Sequence, residues 1–181
     1  MPKKHGPWLI NESSLKYQRE LVELYEDQVI NPAGKPTMYT TVKLKAGSSI
    51  LALDDKGFVH LSKEFRYAIG RESIEVVGGA MDDGEEPLET ARRELREELG
   101  IEAEEWTAMG TVDLATSLID SPAYLFLARR LKFKEPDQDS GEMIKRVKFS
   151  LEEAVEMVMD GRITHGTSGV LILKTSRLLK G

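Results

Sequence analysis

The chain has 181 residues, of which 40% are apolar, and this length can bury roughly 70% of the unfolded surface around one core, so we expect one domain. It contains no cysteine, which excludes a disulfide framework and a thiolate metal site, so any metal must be held by oxygen or imidazole ligands. The formal net charge is −6, which argues against a nucleic-acid partner, whereas a small anion can still bind where a divalent cation and a few arginines invert the local field.

The N-terminus lacks the features of a targeting segment. The first six residues lead into no continuous apolar stretch of the kind that a signal peptide needs, and no apolar run is long enough to cross a bilayer. We therefore expect a cytoplasmic protein with no membrane partner.

The first half of the chain predicts strands joined by short turns. Residues 16–29 predict one or two strands, and the turn formers of residues 31–36 then predict a hairpin. Further strands are predicted at residues 37–44, 49–53, 58–65 and 73–77. The Gly78-Gly79 pair predicts a break after the last of these strands.

The second half changes to helical periodicity after these glycines. Pro87 suits the first turn of a helix and Gly100 suits the position just past the last turn, which predicts a helix over about residues 87–99. A capping box that starts at Ser150 predicts a second helix. The remaining predictions are strands at 106–114, 124–133 and 144–149 and a last helix at 168–179. Strands followed by helices predict an α/β or α+β sandwich with a mixed sheet.

Three glutamates occupy one sector of the first predicted helix. They are Glu94, Glu97 and Glu98, next to an apolar stripe of Leu88, Ala91, Leu95 and Leu99. Like charges at these spacings destabilise an isolated helix by roughly a few tenths of a kcal/mol per close pair. Arg93 can offset part of this repulsion, but Mg²⁺ offsets more, because it favours carboxylate oxygens and keeps waters that substrate phosphates can replace. The alternative interpretation is a solvated surface helix.

Residues 79–101 carry a fixed pattern around these glutamates. The pattern is Gly79, five residues, Glu85, seven residues, then Arg93-Glu94-Leu95-Arg96-Glu97-Glu98-Leu99-Gly100-Ile101. At about one in twenty per named residue, such a match arises by chance on the order of once in a billion starting positions. The pattern resembles the Nudix box, and the chain is identified as a member of the Nudix hydrolases. This resemblance implies an α/β/α sandwich with a mixed sheet and an N-terminal antiparallel strand region.

The resemblance to the Nudix box implies a loop, helix and loop that hold divalent metal. The implied metal ligands are the backbone carbonyl of Gly78 and the side chains of Glu94, Glu97 and Glu98, and the implied supports of the loop are Gly79, Glu85 and Arg93. Metals that bridge a diphosphate neutralise its charge, lower the pKa of a bound water and align its attack on phosphorus. The expected cofactor is therefore Mg²⁺ or Mn²⁺.

Four features outside the box extend the resemblance. They are Glu64-Phe65-Arg66-Tyr67, Glu75, the strand of residues 124–128 and the acidic loop of residues 137–142. Together they resemble the ADP-ribose and nucleotide-sugar pyrophosphatase branch.

That branch implies a role for three of these side chains. Arg66 is expected to contact substrate phosphate, Glu75 to lie near the metals or the terminal sugar, and Glu142 to act as the general base. Glu97 is the competing base, in which case Glu142 orders its loop or binds a further metal. A surface ion pair is the alternative role for Arg66.

Two departures from the branch pattern affect the expected substrate. The branch usually places a Pro-Gly pair and then an acidic residue after the box, where this chain has Thr116, Ser117 and Ser121. A hexose or mannose conjugate is therefore an equal candidate beside ADP-ribose. The usual proline before the glycines is Val77, which is expected to affect loop stiffness more than chemistry.

The N-terminal residues and the histidines complete the set of candidates. Members of the branch often bind the base with N-terminal strands exchanged across a dimer, so residues 1–45 are expected to form a dimerisation and base-binding element beside a catalytic domain of residues 46–181. The aromatic candidates for base stacking are Trp8, Tyr17, Tyr25 and Tyr39, with strand packing as the alternative. No histidine has metal-ligand spacing, and we expect His165 to lie outside the pocket.

The sequence therefore predicts a homodimeric enzyme that uses Mg²⁺ or Mn²⁺ to hydrolyse a nucleoside diphosphate sugar to a nucleoside monophosphate and a sugar phosphate. One alternative is a Nudix hydrolase of a nucleoside triphosphate, a dinucleoside polyphosphate or an RNA 5′ end. Another is a non-catalytic nucleotide-sugar sensor. The negative charge argues against RNA, and the intact set of carboxylates argues against a sensor.

Overall fold

The structure, a computed structural model, describes residues 1–137 and 143–180. Within these ranges no helix combines the length and apolar character needed to span a membrane. The chain divides into two compact units, one of residues 1–45 with 113–122 and one of residues 46–112 with 123–181. Residues 113–122 thus join a unit to which the sequence assigns only the N-terminal strands.

The described residues form strands, three α-helices and one short 3₁₀ turn. The strands are β1 (Lys3–His5), β2 (Trp8–Arg19), β3 (Val22–Ile30), β4 (Pro36–Leu44), β5 (Gly47–Leu53), β6 (Phe58–Arg66), β7 (Arg71–Glu75), β8 (Val77–Ala80), β9 (Ile101–Asp113), β10 (Ile119–Asp120), β11 (Pro122–Phe133) and β12 (Lys145–Ser150). The helices are α1 (Pro87–Leu99), α2 (Leu151–Met159) and α3 (Gly166–Leu179), and the 3₁₀ turn is Tyr67–Ile69.

The first unit contains a five-stranded sheet with the strand order β1-β2-β3-β4-β10. Strands β1 to β4 are antiparallel, and the short β10 lies parallel to β4, where Ile119 pairs with Val42. The hairpin predicted between β3 and β4 is present. Its turn is held by the Asn31 side-chain oxygen, which accepts hydrogen bonds from the backbone N–H groups of Ala33 and Lys35, both at 3.0 Å.

The second unit contains a mixed sheet with the main strand order β12-β6-β5-β11-β9. Strand β5 is parallel to β11 and antiparallel to β6, and β6 is antiparallel to β12. Two short strands extend this path, because β7 pairs with β6 and β8 pairs with β5. The predicted mixed sheet is confirmed.

Helices cover both faces of this sheet, since neighbouring residues of a strand point to opposite faces. On one face, Ile50 and Ala52 of β5 pack with the stripe of α1 that contains Ala91, Leu95 and Leu99. On the other face, Leu51 and Leu53 pack with residues of α2 and α3, among them Ala154, Met157, Leu171 and Ile172. The result is the α/β/α sandwich that the Nudix resemblance implies.

Several predicted boundaries are wrong, since β2 begins at Trp8 and not at residue 16, and β9 begins at Ile101 and not at residue 106. The expected break at Gly78-Gly79 is strand β8, which pairs with β5 so that Gly78 lies opposite Ser49. A Cβ atom on Gly78 would lie 2.7 Å from the Ser48 carbonyl oxygen, so the absence of side chains lets the two backbones approach. The glycines therefore join the loop before α1 to the centre of the sheet.

Candidate active site

Helix α1 is fixed at both ends by local interactions. Glu86 and Glu89 form a capping box at its start, in which the Glu86 N–H donates to the Glu89 carboxylate at 3.1 Å. At its end Gly100 has φ +64° and donates its N–H to the Arg96 carbonyl oxygen at 2.9 Å. The buried apolar stripe of the helix then sets the direction of the neighbouring carboxylates.

The three glutamates predicted as metal ligands differ in exposure. The Glu98 residue is 7% exposed, whereas the Glu94 and Glu97 side chains are 14% and 30% exposed. Such burial of like charges is costly unless other groups compensate it. Arg93 compensates Glu94 and Glu97, with both of which it forms ion pairs.

The Arg93 guanidinium connects the loop before α1 with the helix. Its Nε and Nη2 donate to the two carboxylate oxygens of Glu85 at 3.0 Å each, and Nη2 also donates to the Ala80 carbonyl oxygen at 3.1 Å. Its Nη1 donates to Glu94 at 2.7 Å and to Glu97 at 3.3 Å. One cationic group therefore holds the loop and two of the three carboxylates together.

The Glu85 carboxylate is the anchor of this group. Hydrogen bonds from Arg93, from the Asp82 N–H and from the Thr90 hydroxyl lower the pKa of Glu85 to about 2, against the opposing effect of burial. The hydrogen bond to Glu85 is also the main cause that raises the pKa of Arg93. Thr90 is fully buried. Its hydrogen bond to Glu85 was not predicted, because a threonine within a helix has no sequence pattern that indicates such a bond.

Gly79 leaves room for the Glu94 carboxylate. A Cβ atom on Gly79 would lie only 2.0 Å from one Glu94 carboxylate oxygen. The glycine is therefore required for the observed position of Glu94, whose neighbour in the structure is backbone rather than solvent.

A second group of charged side chains lies at the ends of β6 and β7. Arg66 Nη2 donates to the Glu75 carboxylate at 2.9 Å, and Arg66 Nη1 lies 2.8 Å from the Glu64 carboxylate. Burial alone would lower the pKa of Arg66, but its bonds to Glu75 and the charges of Glu64 and Glu98 raise it. The charge of Glu98 thus connects this group electrostatically to α1.

Glu75 is nearly buried and remains ionised. Burial favours its neutral form, but the hydrogen bond from Arg66, the charge of His165 and a hydrogen bond from Ser73 lower its pKa below the usual range. His165, which we expected to lie outside the pocket, has its Nδ1 3.5 Å from the carboxylate of the predicted site residue Glu75. No local sequence pattern predicts this contact, because residues 75 and 165 are far apart in the chain and meet only when α3 packs beside β7.

The remaining candidates are Glu142 and the aromatic residues of the first unit. Glu142 is outside the described residues. Within the first unit, the rings of Trp8 and Tyr39 pack edge to face with centroids 5.4 Å apart, and the Tyr39 hydroxyl donates to the Ser117 carbonyl oxygen at 2.8 Å. The Tyr25 hydroxyl donates to the Glu23 carboxylate, whereas Tyr17 is 53% exposed. Strand packing thus describes most of these aromatic residues.

The α1 carboxylates suit a hard divalent cation by their chemistry, since Mg²⁺ prefers carboxylate oxygens. Among residues 1–137 and 143–180, no three acidic or histidine side chains already converge as metal ligands. However, Glu94 and Glu97 both contact the single nitrogen Nη1 of Arg93. Two of the carboxylates can therefore share one centre of positive charge, which is what binding of a common cation requires.

Comparisons with known proteins show the family of the chain. Residues 43–167 match the family model described as NUDIX domain. The chain is 31% identical over 144 residues to an ADP-ribose pyrophosphatase of Bacillus subtilis, which covers 78% of each chain. It is also 31% identical over 154 residues to an ADP-ribose pyrophosphatase of Mycobacterium tuberculosis, which covers 82% of this chain and 74% of the other.

A solved structure shares the fold. It is described as an ADP compounds hydrolase, and it superposes with a TM-score of 0.85 over 99% of this chain and 97% of its own chain. The sequence identity is 19%, so this similarity concerns the fold alone.

Proposed function

This chain belongs to the Nudix family and is a Nudix pyrophosphatase, and we propose that it hydrolyses the diphosphate bond of a nucleoside diphosphate sugar, either ADP-ribose or a hexose conjugate. The products are a nucleoside monophosphate and a sugar phosphate. The observation that carries the proposal is the arrangement of α1, where Arg93 gathers Glu94 and Glu97 while the charge of Glu98 acts on Arg66. The relatives named ADP-ribose pyrophosphatase support this substrate class.

We assign cation binding to the α1 carboxylates. Nudix hydrolases generally use divalent metals, and Mg²⁺ or Mn²⁺ would neutralise diphosphate charge and lower the pKa of a bound water. Glu94, Glu97 and Glu98 would hold it together with the Gly78 carbonyl. Glu85 holds the Arg93 guanidinium, and Gly79 leaves space for the Glu94 carboxylate. Both residues therefore support the metal ligands without binding the metal themselves.

The contacts of Arg66 and Glu75 support the roles that we propose for them in substrate binding. The Arg66 side chain is 39% exposed although it contacts Glu64 and Glu75, so a substrate phosphate can reach its guanidinium. Glu75 contacts that guanidinium at 2.9 Å, and we assign it a position near the metals or the terminal sugar. In the reaction, the oxygen of water bonds to one phosphorus, the bridging P–O bond breaks, and the proton passes to a carboxylate base. We assign this base to Glu142, with Glu97 as the alternative.

Two further properties belong to the proposal. We expect a homodimer, because the first unit exposes the apolar side chains of Leu15, Tyr17, Leu21 and Met38, which a second copy could cover. Residues 1–45 would then form the dimerisation and base-binding element. We also expect the enzyme in the cytoplasm.

Products distinguish the candidate substrates. The protein is incubated with ADP-ribose, nucleoside diphosphate hexoses, nucleoside triphosphates and capped RNA, with Mg²⁺ or with EDTA, and orthophosphate is measured with and without added phosphatase. We expect orthophosphate from ADP-ribose or a hexose conjugate only after phosphatase treatment and only with Mg²⁺, because the products are phosphate monoesters. Turnover of triphosphates or capped RNA alone, or no turnover of any substrate, would contradict the proposal.

Replacing Gly79 with alanine is expected to lower kcat about a hundredfold with little loss of stability. The added methyl group would displace the Glu94 carboxylate, which is the flexible end of a side chain, and a shift of about 1 Å in a catalytic group can cost that much. Steady-state kinetics and thermal unfolding measure the two effects.

Gly78→Ala provides the contrast. Its methyl group would meet the Ser48 backbone oxygen at 2.7 Å, so we expect a loss of about 1–3 kcal/mol in unfolding free energy. If Gly79→Ala keeps wild-type kcat, the close position of Glu94 is not needed for the reaction.

A further inference from the structure

Strand β7 is attached at both ends to residues 164–168, which comprise two residues before α3 and its first turn. At the start of β7, Arg71 Nη2 donates to the Thr164 hydroxyl at 2.9 Å. Just past its end, the Val76 N–H donates to Ser168 Oγ at 2.9 Å, a buried contact. The backbone next to Glu75, the last residue of β7, is thus coupled to Ser168 in the first turn of α3.

His165 lies at the centre of this attachment. It is the N-cap residue of α3, but its side chain forms no cap hydrogen bond. Instead, Nδ1 lies 2.8 Å from Ser168 Oγ and 3.5 Å from the Glu75 carboxylate, and Nε2 lies 3.1 Å from the Thr167 hydroxyl. Both ring nitrogens therefore face polar partners, which defines the orientation of the ring.

The imidazole is held without being a strong ion-pair partner. Burial lowers the pKa of His165, the charge of Glu75 raises it and the charge of Arg66 lowers it, with a net shift below the usual value. The imidazole acts on Glu75 through its close approach of 3.5 Å, while its own hydrogen bonds are to Ser168 and Thr167. This leaves Arg66 as the cationic partner of Glu75 at 2.9 Å.

We propose that His165 is a positioning residue for substrate binding, which fixes the Glu75 carboxylate and through it the Arg66 guanidinium. The identity of the substrate phosphate at Arg66 rests on the proposed function, but the coupling between His165 and Glu75 does not. With the imidazole removed, the side of Glu75 that faces α3 loses its neighbour, and Arg66 can follow Glu75 or turn towards Glu64. The predicted consequence is weaker binding rather than slower chemistry.

Histidine NMR tests the coupling without any substrate. The chain contains only His5, His60 and His165, so a protein labelled with ¹⁵N in its histidines gives three sets of ring signals. Glu75→Gln is expected to shift the His165 signals and leave those of His60 unchanged, because His60 Nε2 contacts Asp54 at 3.1 Å instead. His165 signals that do not respond to Glu75→Gln would overturn the proposal.

Kinetics with ADP-ribose test the positioning role. For His165→Ala we expect KM to rise about tenfold or more while kcat changes less than about threefold, since the loss concerns one contact to a charged group. His165→Asn is expected to restore most of the binding, because its amide can replace Nδ1. Binding of the non-hydrolysable α,β-methylene analogue of ADP-ribose, measured by calorimetry, should weaken by the same factor as KM rises.

Thr164→Val is the matched control in the same turn. It removes the hydrogen bond from Arg71 but keeps the imidazole, so we expect unchanged KM even if the melting temperature falls. Two results would overturn the positioning role. One is a fall in kcat at unchanged KM for His165→Ala, and the other is an equal rise in KM for His165→Ala and His165→Asn. If neither ADP-ribose nor a nucleoside diphosphate hexose is hydrolysed, the proposed function fails, whereas the NMR result still decides the coupling.

Discussion

Glu97→Gln is expected to lower kcat for ADP-ribose by roughly a hundredfold to ten-thousandfold and to raise the Mg²⁺ concentration needed for half-maximal rate. The substitution keeps the size of the side chain but removes the charge that Arg93 Nη1 contacts at 3.3 Å and Arg96 Nη2 contacts at 3.0 Å. Glu94 contacts the same Arg93 nitrogen as Glu97. Without the Glu97 charge, one carboxylate fewer is available to bind a cation beside Glu94. Initial rates over a range of Mg²⁺ concentrations measure both effects.

Glu152→Gln is the matched control for removal of one carboxylate charge. Glu152 lies exposed in the first turn of α2, so we expect wild-type rates and metal dependence. Wild-type kinetics for Glu97→Gln would remove the assigned role of the α1 carboxylates.

Glu142→Gln, measured at saturating Mg²⁺, decides which residue is the general base. A rate near that of the wild type would transfer this role from Glu142 to Glu97.

Gly100→Ala is expected to cost about 2–5 kcal/mol of unfolding free energy. Gly100 has φ +64° and ψ 36°, a left-handed conformation that costs other residues roughly 1–2 kcal/mol. In addition, a Cβ atom would lie 2.3 Å from the Lys134 carbonyl oxygen and 2.8 Å from the Glu135 carbonyl carbon, and overpacking of this kind costs about 1–3 kcal/mol. Urea unfolding followed by circular dichroism measures the loss.

Gly70→Ala separates the two contributions. Gly70 has almost the same conformation, with φ +66° and ψ 25°, but its Cβ atom would meet nothing within 4 Å. We expect only the cost of the left-handed conformation, about 1 kcal/mol. Equal losses in the two variants would mean that the contact of Gly100 with residues 134–135 adds nothing to stability.

The sequence predicts an element well when the signals that define it are local. Helix α1 begins at Pro87 and ends at Leu99, as predicted, because Pro87 and Gly100 mark its ends directly. The start of α2 follows in the same way from the Ser150 side chain, which accepts a hydrogen bond from the Glu153 N–H at 3.1 Å. The apolar run of residues 49–53 likewise predicts a strand, and β5 is buried from Ser48 to Leu53.

Features that depend on distant parts of the chain were not predictable in this way. Strand β8 contains two glycines, which resemble a break in the sequence, and it exists because β5 supplies its hydrogen-bonding partners. The same reason applies to His165, whose neighbour Glu75 is brought to it by the packing of α3 against β7. The Nudix pattern indicates Glu85 and Arg93, but only the structure shows that one guanidinium contacts Glu85, Glu94 and Glu97 together.

The discontinuous first unit has a consequence for the order in which the protein can fold during synthesis. Strand β4 obtains its parallel neighbour only when Ile119 and Asp120 have left the ribosome, by which time β5 to β9 and α1 have already been made. A fragment that stops at residue 45 lacks this neighbour, and one that starts at residue 46 keeps residues 113–122 without the strand that pairs with them. A cut at this boundary therefore does not yield two self-sufficient pieces.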